Sequence, residues 1–186
     1  MPSLPNPIAG LSVCLDDDRL YIIGGCSSNE DEDEYKYAAS KVVAYLQSGT
    51  NRWIKVCPMN IARKFSTACA LNHYIYVTGG DNYNDEGYNS LERYNPTTDT
   101  WELLLSDIGM SIGIDDRLTA FEGNLYYLTD TDEEISDYYK TLKQYDPLKN
   151  KMISNKANQQ LILRTVHFID RSYKFIPDES IRFIDS

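Results

Sequence analysis

Two stretches in the middle of the chain decide its fold: Ile75-Tyr76-Val77-Thr78-Gly79-Gly80 and, a little further on, Tyr94-Asn95-Pro96-Thr97-Thr98-Asp99-Thr100-Trp101. The first joins residues that favour strands to a double glycine, which suits a position of positive φ or close backbone approach. The second places Asn-Pro-Thr-Thr-Asp between two aromatic residues, as in a turn that joins two strands. Together they predict a series of short antiparallel strands.

Both stretches recur along the chain. The first matches Leu20-Tyr21-Ile22-Ile23-Gly24-Gly25, and weaker copies without the glycines lie at residues 125–130 and 173–176. The second recurs at residues 145–152, and an earlier copy at residues 45–53 is one residue longer and lacks the proline, so that Tyr45 matches Tyr94. Two markers that keep a common period of about 50 residues indicate a repeat architecture.

Each repeat is predicted to form four short strands. In the second repeat these are expected at residues 65–71, 74–78, 90–94 and 100–105, with a tight turn at Asn72-His73. Because no stretch shows a helical period over a useful length, the predicted class is all-β. The expected units are residues 1–57, 58–105, 106–157 and an incomplete unit at 158–186.

The pattern of Tyr-Gly-Gly, Tyr-(Asn/Asp)-Pro and Trp resembles the kelch repeat. The resemblance implies a partial kelch-type β-propeller with three four-stranded blades and part of a fourth. The spacing of Pro58-Met59 and Arg63 looks most like the kelch part of BTB-kelch (kelch-like) proteins, although no BTB part is seen. Since rings usually hold about four to eight blades, we expect a fragment of a longer propeller, or a ring that closes unusually or with another copy.

Charge and composition exclude several function classes. The chain has 186 residues and a formal net charge of −10, which argues against nucleic acid and anionic membranes as partners. No apolar run is long enough for a spanning helix, and a secretory signal is absent, so a cytoplasmic location is expected. The sequence predicts no cofactor or metal site, because its two histidines and four cysteines lack zinc-ligand spacing.

Two tryptophans and three cysteines raise alternative hypotheses. Trp53 and Trp101 each begin a Trp-x-x-aliphatic match, a pattern that can dock as an added strand, but each is predicted instead to be the core tryptophan of its repeat. Cys14 and Cys69 occupy the same repeat position and are expected in the core. Cys26, in a loop, is the better candidate for an accessible thiol.

The loops after the second strand of each repeat, at residues 26–40, 81–89 and 130–140, combine acids with tyrosines. Equivalent loops of a propeller emerge on one face, so these would form either a binding face for a basic segment or merely solvated loops. The residues predicted to contact a partner are Glu30, Asp31, Asp33, Glu34, Tyr35, Arg63, Asp81, Tyr83, Tyr88, Asp132, Glu133 and Tyr138.

The function implied by the resemblance is a protein-binding module, not an enzyme. In BTB-kelch proteins it is the substrate-recognition part of a cullin-RING ubiquitin ligase adaptor, and a cullin would be reached only through the BTB part. Two alternatives remain: a kelch protein that binds actin or the cytoskeleton, which the acidic face disfavours, and a copper radical oxidase, for which the histidines are too few.

Overall fold

The fold consists of strands and turns. The structure, a computed structural model, describes residues 9–28, 37–50, 52–82, 84, 86–109, 117–130 and 140–153. Within these residues no helix is present, and so none that could cross a membrane. The strands are β1 (Ser12–Asp16), β2 (Arg19–Ile23), β3 (Cys26–Ser28), β4 (Tyr37–Ala39), β5 (Val43–Gln47), β6 (Trp53–Lys55), β7 (Lys64–Leu71), β8 (Tyr74–Asp81), β9 (Leu91–Asn95), β10 (Thr100–Leu105), β11 (Arg117–Phe121), β12 (Asn124–Asp130), β13 (Lys140–Asp146) and β14 (Lys151–Ile153).

Twelve of the strands form three antiparallel sheets of four, which we name blades 1, 2 and 3. Their strand orders are β1-β2-β5-β6, β7-β8-β9-β10 and β11-β12-β13-β14, while β3 and β4 form a separate hairpin. Both β1 and β11 contact β7, so the first strands of neighbouring blades lie side by side. The all-β prediction is confirmed. The predicted unit boundaries stay predictions, and the unit at residues 158–186 lies outside the described residues.

Two apolar clusters hold the blades together, because alternate residues of a strand point to opposite faces of its sheet. Ile75 and Val77 of β8 face blade 1, whereas Tyr76 between them faces blade 3. The cluster between blades 1 and 2 contains Cys14, Tyr21, Ile23, Val43, Met59, Ile75, Val77 and Tyr94. The cluster between blades 2 and 3 contains Tyr76, Leu91, Ile108, Leu125, Tyr127 and Tyr145.

Trp101 is part of the first cluster, as predicted. Its ring lies 5.2 Å from that of Tyr94, and its indole Nε1 donates a hydrogen bond of 2.9 Å to the Cys57 carbonyl in the connection from blade 1. Although partly exposed, Trp101 packs against the buried side chains between the blades. The hypothesis that it docks to a partner is therefore not supported.

The turn before Trp101 is fixed by a hydrogen bond that blade 3 repeats. In blade 2 the Tyr94 hydroxyl donates to Asp99 Oδ1 at 2.7 Å, and in blade 3 the Tyr145 hydroxyl donates to Asn150 Oδ1 at 2.8 Å. Asp99 and Asn150 both have positive φ, a conformation that Asp and Asn tolerate better than most residues. The tyrosine and the turn residue thus stabilise the turn together in blades 2 and 3.

Blade 1 departs from this arrangement, and the predicted match between Tyr45 and Tyr94 was wrong. In blade 2 the residue opposite Ile75 is Tyr94, whereas in blade 1 the residue opposite the equivalent Leu20 is Leu46. A shift of one residue turns a strand side chain to the opposite face. Tyr45 therefore faces blade 2, where its ring lies 5.5 Å from that of Tyr21. In this register the turns of the two blades are equally long, because Leu46 pairs with Trp53 as Tyr94 pairs with Trp101.

The double glycine gives a first testable prediction. Gly80 has a φ of +79°, and an added Cβ would lie 2.5 Å from the Lys64 carbonyl oxygen. Gly49 has a φ of +75° but no atom within 4 Å of such a Cβ. In both alanine variants the free energy of unfolding should fall by about 1–2 kcal/mol, because the side chain strains the left-handed backbone. In Gly80→Ala it should fall by about 1–3 kcal/mol more, because the added Cβ is crowded by the Lys64 carbonyl oxygen.

Urea unfolding of Gly80→Ala and Gly49→Ala measures this difference directly, and Gly49→Ala serves as the matched control. Equal destabilisation of the two variants would show that close backbone approach at Gly80 is unimportant.

Candidate functional site

The loops that follow the second strands form the candidate site, and the structure describes them in part. In blade 1 the chain leaves β2 through Gly24-Gly25 and enters the β3–β4 hairpin, whose end pair is Ser28 and Tyr37. Nine of the predicted contact residues lie outside the described residues, and their role stays a prediction. They are Glu30, Asp31, Asp33, Glu34, Tyr35, Tyr83, Asp132, Glu133 and Tyr138.

The loop of blade 2, at residues 81–89, is closed by its own hydrogen bonds. Asn82 Oδ1 accepts from the backbone N–H groups of Asn84 (2.7 Å) and Glu86 (3.0 Å), and Asn82 Nδ2 donates to Glu86 Oε2 at 2.7 Å. Asp81, a predicted contact residue, forms a β-bridge with Gly87. Asn and Asp are common in such turns because their side chains bond nearby backbone groups. These bonds hold Asn82, Asn84 and Glu86 in fixed positions relative to one another.

Tyr88 closes the base of the same loop. Its backbone N–H donates to the Gly80 carbonyl at 2.8 Å, and its half-buried ring lies 5.3 Å from Arg63 Cζ. A guanidinium at this distance from an aromatic ring forms a favourable cation–π contact. Tyr88 is therefore held in place by Arg63 while part of it stays exposed.

Arg63, which was expected to contact a partner, is fully buried instead. Its guanidinium donates to Gly79 O at 2.7 Å, to Ser90 Oγ at 2.7 Å and to Glu92 Oε1 at 3.0 and 3.2 Å. Burial lowers the pKa of Arg63, and the Glu92 carboxylate opposes that shift. With its donors bound inside the protein, Arg63 supports the loops rather than forming their outer surface.

The backbone of Arg63 extends this support to blade 1. Its N–H donates to Ser40 O at 3.0 Å, and its carbonyl accepts from Gly25 N at 2.8 Å, so it joins both ends of the blade 1 loop. Its side chain binds the base of the blade 2 loop at Gly79 and Ser90. A single buried residue therefore fixes two neighbouring loops of the candidate site.

Sequence reasoning missed the partners of Arg63. Glu92 is fully buried, and its second oxygen accepts from Asn60 N at 3.0 Å. The equivalent positions of blades 1 and 3, opposite Ile22 and Tyr127, hold Ala44 and Lys143. Two features of the sequence could have indicated this ion pair. Glu92 lies at a strand position where blade 1 carries alanine, and Arg63 directly precedes β7.

The cysteines occupy apolar surroundings. Burial, and secondarily the Asp16 charge, raises the pKa of Cys14 to about 12, and burial also raises the pKa of Cys69. The prediction that Cys26 is accessible was wrong. Cys26 is buried, its Sγ donates to Ala9 O at 3.4 Å, and burial raises its pKa although Lys64 opposes the shift. Thiols in such surroundings are poor nucleophiles.

Comparison with known proteins identifies the repeat. The Kelch motif family matches residues 62–104, which include all of blade 2 except Leu105. The solved structure of YjhT superimposes with a TM-score of 0.61 at 17% identity, covering 83% of this chain and 52% of that one. The fold is that of a partial β-propeller, as predicted, and residues 62–104 carry a Kelch motif.

Curated relatives place kelch repeats beside other domains. An F-box/kelch-repeat protein of Arabidopsis thaliana is 31% identical over 130 residues, which are 69% of this chain and 33% of the relative. The Kelch repeat and BTB domain-containing protein 12 of Danio rerio is 36% identical over 107 residues, which are 53% of this chain and 17% of the relative. The chain spans a third or less of the length of these relatives.

Proposed function

We propose that the kelch blades bind a protein partner through the loops at residues 26–40, 81–89 and 130–140, and that the partner offers a basic segment. The observation that carries this proposal is the buried Arg63, which bonds to both ends of the blade 1 loop and to the base of the blade 2 loop. Preordered loops lose less conformational entropy on binding than mobile ones. The buried hydrogen bonds of Arg63 therefore stabilise the ends of the loops that we propose as the binding face.

Charge supports the choice of a basic partner. The chain carries a net charge of −10, and acids recur in all three loops. Glu86 is exposed, and Asp81 is half-exposed at the end of β8. Exposed charges contribute little affinity because water and salt screen them, but they increase the association rate of an oppositely charged partner. Tyr88 would supply contact area at low entropy cost.

In the full-length protein we place these blades as the substrate-recognition part of a cullin-RING ubiquitin ligase adaptor. The support is the pairing of kelch repeats with BTB or F-box in relatives of this chain. The blades themselves are expected to hold the substrate without touching the cullin. A cytoplasmic location and the absence of catalysis are parts of the same proposal.

Binding kinetics test the proposed face once proximity labelling has supplied a partner. Tyr88→Ala should speed dissociation with little change in association, because contact area is lost but charge is kept. Replacing residues 30–34, five consecutive acids, with Asn and Gln should slow association and flatten its salt dependence.

Tyr74→Ala is the matched control. Tyr74 also packs on an arginine, with Arg93 Cζ 4.4 Å from its ring, but it lies at the opposite end of β8. The Tyr74→Ala substitution should leave the association and dissociation rate constants unchanged. If the acid-free variant recovers the same partners at equal yield in low and physiological salt, the acidic loops are only solvated. Recovery of actin would favour the cytoskeletal alternative.

A further inference from the structure

A second group of functional side chains lies at the opposite end of the strands from the proposed binding loops. Asp16 ends β1, Asp17 follows it in the turn to β2, and His73 lies in the turn between β7 and β8. Because β1 and β7 are neighbours, the two turns meet across the boundary between blades 1 and 2. Asp17 and His73 both have positive φ, at 50° and 61°.

The three side chains converge on one point. His73 Nδ1 lies 3.3 Å from Asp17 Oδ2 and 4.0 Å from Asp16 Oδ1, and one ligand atom from each residue falls within 4.8 Å of the others. Bonds of about 2.1 Å to a tetrahedral zinc ion place its ligand atoms about 3.4 Å apart. The imidazole and the Asp17 carboxylate already have about this separation, whereas the distance from the imidazole to Asp16 Oδ1 is longer, at 4.0 Å.

Electrostatics favour a cation between these groups. The Asp16 side chain is only 14% exposed, and Asp17 follows it directly in the chain, so two carboxylates lie at this point. The surrounding cleft is lined by Arg19, Pro96 and Thr97. Arg19 Cζ lies 4.9 Å from the centre of the Tyr45 ring, so this guanidinium has an aromatic partner of its own.

We propose that Asp16, Asp17 and His73 bind a divalent transition-metal cation that joins blades 1 and 2. An imidazole nitrogen with two carboxylates suits Zn²⁺ and similar ions, whereas Ca²⁺ and Mg²⁺ prefer oxygen ligands alone. Water would complete the coordination. Because the His73 and Asp17 side chains are 77% and 71% exposed, the ion would exchange with solvent. This site is independent of the proposed partner-binding loops.

Calorimetric titration of the untagged full chain with ZnCl₂ tests the proposal. We expect saturable binding of one ion per chain, a higher melting temperature in its presence, and no comparable binding of CaCl₂. His73→Asn removes the imidazole but suits the positive φ of that position. It should abolish the binding, and so should Asp17→Asn.

Two control variants distinguish this site from other sources of zinc binding. Asp18→Asn removes the same charge as Asp17→Asn from the neighbouring exposed position and should bind zinc normally. His167→Ala removes the other histidine of the chain and should also bind normally. Unchanged zinc binding by His73→Asn, equal binding of Ca²⁺ and Zn²⁺, or the absence of saturable binding by the wild type would each overturn the proposal.

Discussion

Arg63→Met should lower the free energy of unfolding by about 3–5 kcal/mol, the cost of leaving one member of a buried ion pair without its partner. Glu92 is fully buried, and Arg63 NH2 lies 3.0 Å from its Oε1. The substitution would also leave Gly79 O and Ser90 Oγ without their donors. Since domains are stable by only about 5–15 kcal/mol, urea unfolding should detect a large loss or a failure to fold.

The double variant Arg63→Met/Glu92→Met separates loss of the charge pair from loss of packing. Replacement of a whole buried ion pair by apolar residues of similar volume is often neutral, so the double variant should be more stable than Arg63→Met alone. A double variant at least as unstable as Arg63→Met would indicate that the uncompensated Glu92 charge is not the cause. A wild-type urea midpoint for Arg63→Met would contradict its structural role altogether.

Trp101→Ala is expected to have the next largest effect, about 3 kcal/mol, at the lower end of the range for aromatic truncations in a core because Trp101 is partly exposed. The variant loses the contact with the Tyr94 ring and the hydrogen bond to Cys57 O. The ring contact lies within blade 2, and the hydrogen bond joins blade 2 to the connection from blade 1. Thermal and urea unfolding measure the loss.

Trp101→Phe is the control for this position. It keeps most of the ring contact and loses the hydrogen bond, so its cost should be closer to the net value of one such bond, about 1 kcal/mol. A Trp101→Ala protein with an unchanged melting curve would show that Trp101 is not a core residue, and would revive the docking hypothesis for residues 101–104.

The fold could be predicted because its determinants are local and repeated. Gly79-Gly80 and Trp101 recur in blade 1 as Gly24-Gly25 and Trp53, and Tyr94 recurs in blade 3 as Tyr145, so the spacing of these markers is visible in the sequence. The candidate site was less accessible to prediction. The burial of Arg63 depends on Glu92, a strand away and specific to blade 2, and no repeat reveals it.

The surroundings of two other residues, Cys26 and His73, could not be predicted for one physical reason. Cys26 follows a double glycine and reads as a loop residue, but pairing with Ala9 and with Ala39 places it inside. His73 reads as a turn residue, and its proximity to Asp17 depends on the packing of β1 beside β7. Contacts between residues distant in sequence decide both positions.

The exchange of Tyr45 and Leu46 has a consequence for protein engineering. Grafting the Tyr-Asn-Pro-Thr-Thr-Asp turn of blade 2 onto blade 1 by matching tyrosines would attach it to a side chain on the wrong side of the sheet. The graft must instead place its tyrosine at position 46, and the turn keeps its length because Leu46 pairs with Trp53 as Tyr94 pairs with Trp101. Consensus design of kelch blades therefore has to align repeats by which residue of the third strand pairs with the second strand. Residue type alone is not sufficient, since blades with similar sequences can differ in this register by one residue.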